Sequence, residues 1–117
     1  MINLDDLQVG LEQAYGMLSE SVWKYRTQAM VTRCHEYDLE DAKLRLYREG
    51  KVEGKNQTER DAHIAELLED DTATLERAKQ EEADLYMKME LNKLAVDKWR
   101  SLLRIAELSQ VRVEELK

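Results

Sequence analysis

The chain has no proline and no phenylalanine, and its 117 residues include one cysteine and four glycines. Without proline, no helix is forced to stop for lack of a backbone N–H. With five tyrosines and two tryptophans as the only aromatics, the composition is that of long, surface-rich helices and not of a compact sandwich. The lone Cys34 excludes a disulfide within the chain and suits a reducing compartment. No apolar run approaches the roughly 18 residues of a membrane span. The start, Met1-Ile2-Asn3-Leu4-Asp5-Asp6, lacks the basic residues and apolar middle of a secretory leader. A cytoplasmic protein without membrane association is therefore expected. Positive charge is also short: 18 basic residues face 25 acidic ones, for a net charge of −7. Bulk nucleic-acid binding is not expected, because displacing counterions requires a basic surface.

What the chain has instead is charge and helical periodicity. Charged residues make up 37% of it, against about a quarter in an ordinary globular chain. The length fits one domain, 1–117. The one interruption of the helical pattern is Tyr47 to Arg60, which holds Gly50 and Gly54. Glycine ends a helix because it reaches the left-handed conformation without a Cβ clash. Asn56 followed by Glu59 reads as an N-cap with its capping-box partner. The prediction is an all-α, coiled-coil-like antiparallel hairpin with a helix over about 4–49, a turn over 50–56 and a helix over about 57–116. Val52 is expected to fold back on Tyr47 or Leu46. Two helices cannot enclose their own apolar surface, so a homo-oligomeric bundle, a dimer or tetramer, is expected.

In the first helix, Asn3 or Asp5 can cap the start, and the acids Asp5, Asp6 and Glu12 suit the helix dipole. Leu4, Leu7, Leu11, Ala14, Leu18, Val22, Tyr25 and Ala29 form a seam that continues through Met30, Cys34, Tyr37 and Leu44. Cys34 is then a small core residue. Trp23, Met30, Tyr37 and Leu44 make a second stripe, and Leu39, Ala42 and Leu46 drift to another face. Gly10 and Gly16 permit either close helix approach or fraying.

In the second helix, Ile64, Leu68, Leu75 and Ala78 recur at helical spacing. Asp70-Asp71-Thr72 could cap a new helix, so a break near 70–72 is one possibility. From Leu85 the apolar face widens. One stripe is Leu85, Met89, Val96, Trp99, Leu103 and Ala106; a second is Met87, Leu91, Leu94, Leu102, Ile105 and Leu108. Together they cover more than half the circumference at about 100° per residue. The expected oligomer interface is Leu85, Met89, Leu91, Leu94, Val96, Trp99, Leu102, Leu103 and Ile105. Residues 57–84 are net acidic and 85–117 slightly basic, a blocking that could set register between antiparallel copies or serve as solvated faces.

Three patterns bear on chemistry. Arg48, Lys51, Lys55, Asn56 and Arg60 place cations and free N–H groups at a helix start, which suits a phosphate or carboxylate. The alternative is that Arg48 and Arg60 bond the loop's own carbonyls and hold the turn shut. Glu66-x-x-Glu69 and Glu81-x-x-Asp84 resemble the paired acidic motif of all-α nucleotide pyrophosphohydrolases, in which four carboxylates on two adjacent helices hold magnesium. That reading needs a turn near Asp70; on one helix the pairs lie more than about 15 Å apart. Glu59, His63 and Glu66 share a face and could bind a metal or be solvated. The Glu-x-x-His pairs of a di-iron bundle are absent, because Thr32 and Arg60 precede His35 and His63 by three. No phosphate loop or nucleophile elbow is present, and no cofactor is expected.

The tip, through Tyr47, Gly50, Val52, Gly54, Lys55, Asn56, Arg60 and Ala62, resembles small helical proteins encoded by bacteriophages and prophages. The rhythm from Glu90 to Arg104 is similar as well. The resemblance implies a phage accessory protein, near replication or recombination genes or antagonising host defence. It supplies no activity and no catalytic residue. The expectation is a non-enzymatic, self-associating helical protein that acts by binding a protein partner. A binder of nucleic acid or a phosphorylated ligand through the tip is the first alternative, and a magnesium-dependent nucleotide hydrolase the second.

Overall fold

The computed structural model describes residues 3–115, with side chains described as far as Gln110. The chain is an all-α helical hairpin of α1 (Leu4–Arg48), α2 (Gln57–Leu67) and α3 (Glu69–Glu115). Of the two candidate caps at the start, Asn3 is the one used: its Oδ1 accepts the Asp5 N–H at 2.9 Å. Its carbonyl takes the Leu7 N–H at 3.2 Å. Val111 and Val113, which carry the apolar pattern of the sequence on past Leu108, lie outside the described side chains, and Leu116, which continues it, outside the described residues.

The stop after α1 follows the glycine. Gly50 has φ +66. Its N–H donates to the Tyr47 carbonyl at 3.2 Å, and the Lys51 N–H reaches the Leu46 carbonyl at 3.1 Å. This crossed pair is the Schellman ending that a left-handed residue permits. Val52 then folds back onto the cluster that includes Leu46. At the start of α2, Asn56 Oδ1 accepts the Glu59 N–H at 2.9 Å. The Glu59 carboxylate returns to the Lys55 N–H at 2.7 Å, one residue earlier than a standard capping box reaches.

The predicted second helix, 57–116, is interrupted, and the interruption lies at Leu68, not at 70–72. Leu68 has φ −110 and ψ 25, which unwinds one residue. Its N–H still bonds the Ile64 carbonyl and its carbonyl the Thr72 N–H, both at 2.9 Å. The ladder therefore carries across, and Asp70 and Asp71 join the first turn of α3 instead of capping it.

The chain divides into two compact units. The first combines Met1–Tyr25 with Leu85–Lys117. Leu7, Ala14, Met89 and Val96 are buried in it. The Asn92 amide donates to the Met17 carbonyl at 3.4 Å and to the Ser21 hydroxyl. Tyr25 and Tyr86 meet with ring centroids 5.5 Å apart, tilted by 59°. The second unit is Arg26–Asp84. Leu39, Ile64, Leu68 and Leu75 form its core, with Ala42, Leu46 and Val52 packed on it. Between small Ala29 and Ala78 sits Thr32, only 2% exposed. Its Oγ1 lies 3.0 Å from the Gln28 carbonyl and 3.2 Å from that of Ala78. The hydroxyl has one proton, so it serves these two acceptors in turn.

In α1 most of the buried and half-buried positions follow a seven-residue repeat: Leu4, Leu11, Leu18, Tyr25, Thr32, Leu39, Leu46, with Leu7, Ala14, Ser21, Gln28, His35, Ala42 between them, and Gly10, Val22, Ala29 and Lys43 beside this line. This corrects the predicted seam beyond Ala29. Met30, Tyr37 and Leu44 are exposed, as is Cys34, which is no core residue. Leu39, Ala42 and Leu46 belong to the core and do not drift from it. The cause is local: the true seam is polar at Gln28, Thr32 and His35, so reading by apolarity moves onto the outer stripe. In α3, Met89 and Val96 are buried, and Leu85, Trp99, Leu102 and Leu103 are half-buried. Much of the face assigned to an oligomer is thus used inside the unit.

Candidate functional site

At the tip, three of the five side chains that could hold an anion, those of Lys51, Asn56 and Arg60, are engaged within the turn. Lys51 Nζ pairs with Glu49 Oε2 at 2.8 Å. The hydrogen bond and the charge of Lys51 hold the Glu49 carboxyl below its ordinary range. Arg60 lies 3.5 Å from the Gly54 carbonyl and 3.4 Å from Gln57 Oε1, which matches the bracing reading for Arg60 and not for Arg48. The N–H groups of Lys55 and Glu59 are satisfied by the Glu59 carboxylate and the Asn56 side chain. The negative charge that the start of α2 attracts is therefore the chain's own Glu59. Arg48 lies in the last turn of α1, where a cation suits the helix end. The structure brings these five residues to the turn between α1 and α2, where Lys51, Asn56 and Arg60 are already bonded.

His63 has a part in the tip that the sequence did not reveal. The Glu53 N–H donates to its Nδ1 at 2.9 Å. His63 thus clasps the loop, and Glu59 is occupied with Lys55. No spacing rule signals such a bond across ten residues, because it depends on the path of the turn. Gly54 lies in the same loop at φ +152. A Cβ there would fall 2.7 Å from the Arg60 backbone N.

The four carboxylates do not assemble. Glu66 lies in the last turn of α2, whereas Glu69, Glu81 and Asp84 lie along α3. Twelve helical residues separate Glu69 from Glu81, about 18 Å. The turn near Asp70 that would fold one pair onto the other is not formed. Among the described residues, no group of three or more His, Cys, Asp or Glu is placed to hold a metal ion. Two shallow hollows lie on the second unit. One is lined by His35, Asp38, Asp41, Arg45 and Asp71 among others. Its one cation, Arg45, is already paired with Asp41 at 2.6 Å. The other is lined by Leu39, Lys43, Tyr47, Asp61, Ile64 and Leu68 among others.

The feature left unused is apolar. On α3 in the first unit, Met87, Leu91, Leu94, Ile105 and Leu108 are each about 60% exposed. Soluble proteins scatter single apolar residues over their surface, whereas these recur along one line of the helix in two groups, with Lys98 and Ser101 between Leu94 and Ile105, and such a line marks an interaction surface. The third of the predicted interface made by Leu91, Leu94 and Ile105 is on this stripe; Met89 and Val96 are buried, and Trp99 lies against Gly10 of α1. In the second unit, Met30, Tyr37 and Leu44 form an exposed stripe on α1. No helix among the described residues is long and apolar enough to cross a membrane. No family model, curated protein or solved structure matches the chain.

Proposed function

We propose that the protein is a non-enzymatic helical module that works by self-association, presenting its hairpins as a scaffold for protein binding. One observation carries this reading. After the inner seam is filled, α3 retains a second apolar stripe in which Leu94 is 64% and Ile105 61% exposed. Removing such side chains from water is worth roughly 1.5–3 kcal/mol each when complete. A stripe repeated along a rigid helix is a form that another helix can cover. The phage or prophage context remains part of the proposal and rests on the resemblance of the tip and of the Glu90–Arg104 rhythm alone. A phosphate-binding tip has less support, because Lys51, Arg60 and the backbone N–H groups of Lys55 and Glu59 already have partners within the tip.

The test is the double variant Leu94→Asp with Ile105→Asp. Both positions are exposed, so the fold should lose no more than about 1 kcal/mol. We expect an unchanged helical circular-dichroism spectrum and sedimentation as a monomer, at concentrations where the native chain sediments as a larger species. A double variant that sediments like the native chain would remove this face from the reading.

A further inference from the structure

We infer that the outer face of α3 receives a second copy of this chain, antiparallel and in one register. The inference rests on the self-association proposed above and adds its direction and alignment.

The stripe follows steps of three and four residues: Leu91, Leu94, Lys98, Ser101, Ile105, Leu108. All six are exposed. This is the spacing with which a second helix packs knobs into holes, and it runs about 26 Å from end to end. Two of its positions are not apolar, and they fix the direction. In a parallel two-fold pair each residue meets its own copy, so Lys98 would face Lys98. A like-charge layer inside a seam opposes that arrangement. In an antiparallel pair centred between Trp99 and Arg100, Leu91 meets Leu108 of the copy and Leu94 meets Ile105. Lys98 meets Ser101, whose small side chain leaves room for the lysine stem to run out to water. Two-fold symmetry makes each layer occur twice.

Register follows from the same residues. A slip of seven in either direction sets Lys98 against Leu94 or Leu108 and wastes an apolar residue on Ser101. The flanks agree with the centred alignment. Asp97 precedes Lys98 and Arg104 precedes Ile105, so both lie on one edge of the stripe. In the antiparallel register Asp97 of one copy lies beside Arg104 of the other, twice. Both are exposed, and neither belongs to an ion pair among the described residues. On the other edge, half-buried Ala95 lies beside half-buried Leu102 of the copy. In the parallel arrangement Asp97 would face Leu102 and Arg104 would have no acid to meet.

The test uses the full chain carrying Cys34→Ser, a substitution at an exposed position. Lys98→Cys and Ser101→Cys are introduced into separate chains, which are oxidised alone and mixed. We expect a disulfide-linked dimer from the mixture at least ten times as abundant as from either chain alone. Equal cross-linking of each chain alone would mean a parallel pair and overturn the inference. The mass of the Cys34→Ser chain by light scattering is measured alongside. A monomer there removes self-association itself, whereas an oligomer that fails to cross-link in the mixture removes only the register. As a second measurement, Asp97→Arg should weaken association about tenfold, and Asp97→Arg combined with Arg104→Asp should restore it. Restoration failing while the single variant weakens association would overturn the Asp97–Arg104 pairing.

Discussion

Alanine at Gly54 is expected to be the most damaging conservative change in the turn, costing roughly 2–4 kcal/mol. Two causes combine. The φ of +152 is a backbone conformation that side-chain-bearing residues rarely adopt. The added Cβ would also lie 2.7 Å from the Arg60 N and 2.9 Å from the Glu59 carbonyl carbon. These are backbone atoms of the first turn of α2, so relief requires moving the helix start. That would displace the Asn56 cap and the Lys55–Glu59 bond together. Gly50 is the control. Its φ is also positive, at +66, but a Cβ there meets open space. Gly50→Ala should therefore cost only about 1–2 kcal/mol, the intrinsic penalty of the left-handed conformation. Urea melts of the two variants at equal protein concentration give the comparison, since association shifts apparent stability. Equal losses would mean that α2 does not start against Gly54.

The two helical glycines should respond to alanine with opposite signs. At Gly10 the added Cβ would lie 2.5–2.7 Å from three ring atoms of Trp99. An indole is rigid, so the whole ring must shift, at a cost of about 1–3 kcal/mol for overpacking. Better helix propensity returns at most about 1 kcal/mol. Gly10→Ala is expected to lower stability by about 1–2 kcal/mol. Gly16 has nothing within 4 Å of the same atom, so Gly16→Ala should raise stability by up to about 1 kcal/mol. Thermal melts monitored by circular dichroism report both. If both variants melt higher than the native chain, Trp99 does not lie on Gly10.

These glycines also show what the sequence could and could not say. Both cost the helix equally in propensity, and only the packing of Trp99 separates the close approach from the open position. The turn was legible because its signals are local: Gly50 ends α1, Asn56 and Glu59 open α2, and Val52 folds back on the Leu46 cluster. The inner seam was legible to Ala29 and then lost, because Gln28, Thr32 and His35 occupy seam positions. Thr32 is tolerated there through its bonds to the Gln28 and Ala78 carbonyls. Apolarity alone therefore pointed to Met30, Cys34 and Tyr37. On α3 the two stripes were legible, but not which of them the hairpin would use. Which side chains remain outside is decided by the partner helix, and burial of Met89 and Val96 leaves Leu91, Leu94 and Ile105 out. At the tip, the Asn56 cap was legible because it is local, whereas the His63 clasp depends on a long-range path.

The most direct test of the central claim is the mass of the native chain in solution, by multi-angle light scattering over a range of concentrations. We expect a mass that rises with concentration from that of one 13.8 kDa chain to a plateau of at least two. A mass that stays at one chain up to hundreds of micromolar, with α3 fully helical, would contradict the claim that its outer stripe is an association face.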